Sequence, residues 1–194
     1  MERLPEHGEG HGVVVRRWTV ADAEVLHALV VDNRDHLRPR MAWVPDDPKD
    51  LAGRRALIEG WDRAWLDGGD LVAGIWSAGT PVGGTGLHRR RGPGVLEIGY
   101  WVDRHHLRRG IARRATAVVA DLAFGVAGIE AVDVIHDVDN VASRAIPESL
   151  GFRWLGEAPS DRPLAAADTG RDGAWRLDRS TWLARGGATL PVAG

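Results

Sequence analysis

Apolar residues recur along the chain with two different periods, and the changes of period divide it into elements. Val13-Val14-Val15 is a short apolar run that predicts a first strand within residues 12–18. Ala23, Leu26, Leu29 and Val30 then recur at helical spacing, so a helix is expected to about Arg34, entered through Thr19 with Asp22 as its capping acid. Residues 35–45, with two prolines, read as a loop. A second helix is expected from about Lys49 to Leu66, with Leu51, Ala56, Leu57, Trp61 and Trp65 as its stripe and Gly68-Gly69 as its stop. From Asp70 the period shortens. Residues 71–76, 82–88 and 96–102 read as three strands joined by tight turns, an antiparallel meander. An Ala-rich helix over 111–124 leads to a strand over 131–136, and a helix between two strands implies a parallel pair. A short helix over 141–150 follows, then a strand over 152–155, a polar loop over 156–173 and a closing strand over 174–183. Residues 12–183 are expected to form one domain between flexible tails at 1–11 and 184–194.

Composition narrows the class. A chain of 194 residues suffices for one domain with a buried core. Its 25 Lys+Arg nearly balance 27 Asp+Glu, so no basic field points to nucleic acid and no polybasic tail to a membrane. No apolar run approaches the roughly 20 residues of a membrane span. Cysteine is absent, which removes disulfides, thiolate metal sites and cysteine nucleophiles, and fits a cytoplasmic location. No metal site is expected. Nine Trp beside two Phe and one Tyr are read as core packing.

Candidate chemistry concentrates between Glu97 and Ala112. The apolar strand Glu97-Ile98-Gly99-Tyr100-Trp101-Val102 runs into a basic crossing, Arg108-Arg109-Gly110, and then into the helix from Ile111. Free backbone N–H groups at a helix start bind phosphate oxygens, and Arg108, Arg109 and Arg113 add positive charge there. A pyrophosphate beside a strand end is the expectation. The glycine loop lacks the pattern of a nucleotide-phosphate enzyme, and the only lysine is Lys49.

Those residues, followed by Asp139-Asn140-Val141-Ala142-Ser143-Arg144 and Leu150-Gly151-Phe152, resemble the GNAT N-acetyltransferases, and within them the RimJ/RimL type. The segments at 33–39 and 43–45 resemble that branch as well. The resemblance implies an α/β (α+β) fold: a mixed, mostly antiparallel sheet of about seven strands, a splayed central parallel pair, and about four flanking helices. It implies acetyl-CoA as cofactor, with no metal, and a homodimer. By position, Tyr100, Trp101 and Val102 would offer backbone groups to the pantetheine. Arg108, Arg109, Gly110, Ile111, Ala112 and Arg113 would cradle the diphosphate. Asn140 would bond the cofactor, and Ser143 would lie near the sulfur. Two positions depart from the family: Leu107 stands where Gln or Arg begins the loop, and no Tyr precedes Leu150-Gly151-Phe152.

The implied reaction is direct attack of an amine on the thioester, the acceptor being a peptide N-terminus or a small molecule. Glu97 is the expected general base, its pKa raised by burial against Trp and Ile, and the alternative for it is a structural carboxylate paired with an arginine. Ser143 is the expected proton donor to the leaving thiolate, the alternative being a helix-cap or cofactor hydrogen bond. Tyr100 is a packing or substrate contact. His136 and Asp137 read as a solvated strand end, with a catalytic pair as the other reading, and His88 can face either side of its strand. Arg38, Arg40, Trp43 and Asp46-Asp47, with Glu97 and Tyr100, are the candidate acceptor contacts. A succinyl donor would need a cation such as Arg38 or Arg40. A non-catalytic acyl-CoA sensor is the competing class.

Overall fold

The structure, a computed structural model, describes residues 2–187; residues 188–194 of the expected tail lie outside the described residues. The strands are β1 (His7–Gly10), β2 (Val13–Arg17), β3 (Leu71–Ser77), β4 (Thr80–His88), β5 (Val95–Val102), β6 (Ala131–Asp137), β7 (Arg153–Pro159) and β8 (Arg171–Asp178). The helices are α1 (Ala23–Leu37), α2 (Leu51–Leu66), α3 (Ile111–Phe124), α4 (Val141–Ser149) and α5 (Arg179–Ala184). The strands make one sheet in the order β1-β2-β3-β4-β5-β6-β8-β7. Only β5 and β6 run parallel among the described pairs.

The sheet has two covered faces. Ile75, Leu87, Ile98, Val132 and Leu177 pack on one side with α3, whose Ala115, Ala117 and Ala120 let the helix approach closely. Each large side chain removed from water here contributes roughly 1.5–3 kcal/mol. On the other face Trp18, Leu26, Val30 and Ile58 join α1 and α2, with Trp76 and Trp101 against them. Gly84 makes room for an indole: a Cβ there would lie 2.5 Å from Trp101 Nε1.

Three boundaries differ from the expectation. Part of the expected tail at 1–11 forms β1, which raises the strand count to eight. Its glycines, which read as disorder, permit contact: a Cβ on Gly8 would lie 2.8 Å from Leu122 Cδ2 on α3. Leu4 is buried and Trp65 Nε1 donates to its carbonyl at 2.8 Å. The polar loop at 156–173 shrinks, because β7 continues to Pro159 and β8 begins at Arg171. The expected strand at 174–183 ends at Asp178 and becomes α5, the additional helix, fixed by Trp182 Nε1 donating to Asp121 Oδ1 at 2.6 Å.

The entry to α1 carries a pH-dependent clamp. Asp22 accepts from Arg16 twice at 2.8 Å and from Thr19 N at 2.9 Å and Oγ1 at 2.8 Å. The Arg16 guanidinium, with help from Thr19 and against burial, holds its carboxyl down at about 2. A depressed folded-state pKa gives stability that is present above the unfolded value and lost as pH falls through the folded one. Asp22→Asn is therefore expected to lower Tm at neutral pH, with the gap to wild type closing as pH falls from the unfolded carboxyl range, about 4, to about 2. A thermal melt series across that range checks it; a constant gap would remove the clamp.

Candidate active site

The site lies where β5 and β6 part. Their ladder holds at Val95↔Ala131, Leu96↔Val132 and Glu97↔Asp133. Beyond Glu97, β5 stays with β4 as far as Val102, while β6 stays with β8 as far as Asp137. A cavity of about 380 Å³ opens at the split, lined by Glu97 to Tyr100, by residues 134–137, and by Asn140 and Ser143. A second cavity of about 570 Å³ faces α1 and α2, with Trp18, Trp43, Trp61 and Trp101 in its wall. The two share Trp43, Arg90, Gly99 and Tyr100, so they are halves of one cleft.

Ser143 and Tyr100 meet at the split for a reason written in the chain. An α-helical carbonyl normally accepts from the N–H four residues later, and for Ser143 that residue is Pro147, which has none. Tyr100 fills the vacancy, its hydroxyl donating to the Ser143 carbonyl at 2.9 Å. The Ser143 hydroxyl in turn donates to the Tyr100 oxygen at 3.3 Å. Burial pushes the phenol well above its ordinary value, against the Ser143 bond, so it stays protonated. Asn140 Oδ1 caps α4 by accepting from Ser143 N at 3.2 Å. The sequence reading placed Ser143 and Tyr100 separately; the chain's one tyrosine and a proline four residues after Ser143 are the signal that joins them.

Other side chains of the cleft are committed elsewhere. Of the two readings of Glu97, the structure has the arginine-paired one: the Arg90 guanidinium contacts its carboxylate, and Glu97 is buried in that ion pair. Glu97, with lesser help from Asp70, holds Arg90 further toward its protonated form against burial. His136 and Asp137, expected at a solvated strand end, are both buried. Trp175 Nε1 donates to His136 Nε2 at 3.0 Å, and an indole N–H can only donate, so the His136 proton sits on Nδ1, which bonds the Asp137 carbonyl at 2.8 Å. Burial pushes the Asp137 carboxyl up. The Thr169 N–H and hydroxyl, the Asp139 N–H and the Arg40 charge outweigh it and hold that carboxyl below the ordinary range. Arg40 is thereby tied to Asp137 at 3.3 Å and to the Ala167 carbonyl at 3.1 Å. Trp43 lines both cavities, whereas Arg38 caps the end of α1, exposed and outside them.

The basic crossing lies at the open start of α3. Arg108 (φ 56°) and Gly110 (φ 69°) are left-handed, and a Cβ on Gly110 would meet nothing within 4 Å among the described residues. That turn leaves the first N–H groups of α3 unscreened. Arg108 and Arg109 are exposed beside it, as is Leu107. Arg113 is half-buried and reaches the Ser149 carbonyl at 3.4 Å, joining α3 to α4. Tyr100, Trp101 and Val102 present the unpaired edge of β5 toward the split. An open anion cradle, a strand edge and a hydroxyl pair on one side of the sheet fit a CoA thioester. Asp32, Asp103 and His105 bring ligand atoms within 4.8 Å of one another, but Arg104 already donates to Asp32 at 2.8 Å and Asn33 to Asp103 at 2.8 Å.

This fold and site define an acyltransferase that works on a CoA thioester. A family model described as an acetyltransferase (GNAT) domain matches residues 13–153, and the chain belongs to that family. It is 28% identical over 147 residues to YdaF of Bacillus subtilis (strain 168), which carries the name of a ribosomal N-acetyltransferase; the match covers 75% of this chain and 80% of that protein. Among solved structures, RimL, a ribosomal L7/L12 alpha-N-protein acetyltransferase in complex with coenzyme A, superposes with a TM-score of 0.79 at 18% identity, covering 93% of this chain and 99% of that one. Mycobacterium smegmatis RimJ in complex with CoA-disulfide gives 0.76 at 19%, covering 95% of each chain. The structural likenesses establish a shared fold. No helix among the described residues is long and apolar enough to cross a membrane.

Proposed function

We propose that the protein transfers the acetyl group of acetyl-CoA to the N-terminal α-amine of a polypeptide, both substrates being bound together. The parting of β5 and β6 carries this reading, since it leaves the β5 edge free directly beside the Tyr100–Ser143 pair. Acetyl-CoA, when bound, supplies the activated acyl thioester. The backbone of Tyr100, Trp101 and Val102 holds the pantetheine, and its N–H groups polarise the acyl oxygen. Arg108, Arg109 and Arg113, with the N–H groups from Gly110 to Ala112, hold the diphosphate. Asn140 fixes the start of α4 and bonds the cofactor. Ser143, backed by the protonated Tyr100, gives a proton to the departing thiolate. Glu97 is a fixed negative charge for the acceptor ammonium, a narrower role than general base, because Arg90 shares its carboxylate.

A peptide acceptor is supported by the names of YdaF and RimL and by a cleft that continues past Trp43 toward α1 and α2. An acetyl donor is favoured over succinyl because Arg40 is bound to Asp137 and Arg38 lies outside both cavities. A thiol-release assay with acetyl-CoA tests the reading across peptides with free N-termini and a panel of small amines. Release with peptides is the expected result. Release with small amines alone would move the acceptor to the antibiotic or polyamine class. Tight CoA binding with no release from any amine would make the protein a sensor and end the enzymatic reading.

A further inference from the structure

We propose that His88, oriented by Asp70, accepts the proton that the acceptor ammonium must lose before it can attack. The proposal deepens the acetyl-transfer reading and rests on it.

His88 ends β4 directly across from Glu97 on β5. Strand alternation puts it on the same face as Gly86, and as Gly99 and Trp101 of β5. That face carries the larger, tryptophan-walled half of the cleft, which His88 lines. A Cβ on Gly86 would lie 2.9 Å from His88 Nε2, and one on Gly99 3.5 Å, so the ring lies over two residues without side chains.

The ring's orientation is fixed from behind. His88 Nδ1 lies 2.8 Å from Asp70 Oδ2, while Asp70 Oδ1 accepts from Arg89 N at 2.8 Å. Burial pushes the Asp70 carboxyl up, but His88 and the Arg89 N–H outweigh it and hold it below the ordinary range. A carboxylate can only accept, so the Nδ1 proton points at Asp70 and Nε2 keeps its lone pair on the side of the glycines. The His88 side chain is 21% exposed.

The rival groups are engaged. Glu97 is paired with Arg90, His136 Nε2 accepts from Trp175, Asp137 is held by Thr169 and Arg40, and Tyr100 stays protonated. The charges facing His88 are Asp70 immediately before β3, Glu97 on β5, and Arg89 and Arg90 in the next loop; across the cavity stand Asp46, Asp47 and Arg54.

The protons balance. An ammonium brings three: one goes to His88 Nε2 and then to solvent, one reaches the thiolate through Ser143, and one stays on the amide. The C–N bond forms as the C–S bond breaks.

The test is the pH dependence of kcat with both substrates saturating, which reports ionisations in the loaded enzyme. Wild type is expected to lose activity on the acid side, as a general base in the loaded enzyme requires. His88→Gln should lower kcat about a hundredfold or more at neutral pH and abolish that limb, with CoA affinity held within a few-fold. Asp70→Asn, which removes the charge that favours imidazolium, should move the limb to lower pH. Glu97→Gln should keep the limb and raise the acceptor KM. A limb that persists in His88→Gln, or that disappears in Glu97→Gln, overturns the proposal. A measurement independent of turnover is the ¹⁵N NMR tautomer of His88 with CoA bound: a proton on Nδ1 is expected, and one on Nε2 overturns it. A wild type that releases no thiol sinks the acetyl-transfer reading instead, whatever the tautomer.

Discussion

Ser143→Ala is expected to lower turnover about a hundredfold or more, while CoA affinity moves by no more than a few-fold. The hydroxyl is the proposed proton source for the thiolate, and its loss does not touch the loop at Arg108 to Gly110 proposed to hold the far end of the cofactor. Tyr100→Phe is expected to cost turnover as well, and in addition stability. It leaves the Ser143 carbonyl without the donor that Pro147 cannot supply. An unmet polar group of this kind costs about 1–3 kcal/mol, and the lost Tm per kcal/mol is about 2–4 °C for a chain of this size. Pro147→Ala separates the two effects. It offers an amide N–H to the same carbonyl, so the Tyr100→Phe/Pro147→Ala double variant should regain Tm without regaining turnover. If Tm and turnover return together, the hydroxyl pair is structural only; if Ser143→Ala keeps full turnover, the thiolate is protonated from elsewhere.

Period and turn chemistry exposed most of this fold because the information is local. The meander from Leu71 to Val102 and the crossover through α3 are visible in spacing alone, and the expected strand and helix centres match. β1 was missed because His7-Gly8-Glu9-Gly10 has no apolar pattern; it forms by pairing with β2, and its glycines lie against Val118 and Leu122, more than a hundred residues away. The site was legible to the same extent. The Arg108–Gly110 turn and the β5 edge lie within one continuous stretch, and they stand together in space. The environment of each titratable group did not, since it is set by long-range partners. Tyr100 with Ser143, Trp175 with His136 and Asp70 with His88 are pairs made by topology. Arg90 is only seven residues from Glu97, yet an intervening turn decides that they meet. Spacing therefore pointed to the β5 edge, while which side chains near it are engaged is decided by partners that spacing does not show.

Asp47→Ala is expected to be the most destabilising single change on the acceptor side, and its reasoning joins stability to function. Asp47 and Arg54 have side chains only 1% and 2% exposed, and Arg54 Nη2 donates to Asp47 Oδ2 at 2.7 Å. Arg34 on α1 reaches the same oxygen at 3.3 Å, so one carboxylate ties α1, α2 and the segment after Trp43 together. Removing it leaves a buried guanidinium whose Nε already lacks a partner among the described residues. Breaking a buried pair from one side costs about 3–5 kcal/mol. At about 2–4 °C per kcal/mol this lowers Tm by roughly 6–20 °C. Removing both charges costs much less, because no uncompensated ion remains. The Asp47→Ala/Arg54→Met double variant should therefore melt well above Asp47→Ala alone. A drop below about 3 °C in the single variant, equivalent to roughly 1 kcal/mol, would mean that the cluster does not hold the helices. Asp47 and Arg54 also line the tryptophan-walled cavity. Below its melting point Asp47→Ala should thus raise the acceptor KM and leave CoA affinity alone, since the proposed cofactor site is built by α3 and β5 and not by this cluster. A matched loss of CoA affinity would show that the two halves of the cleft are not built independently.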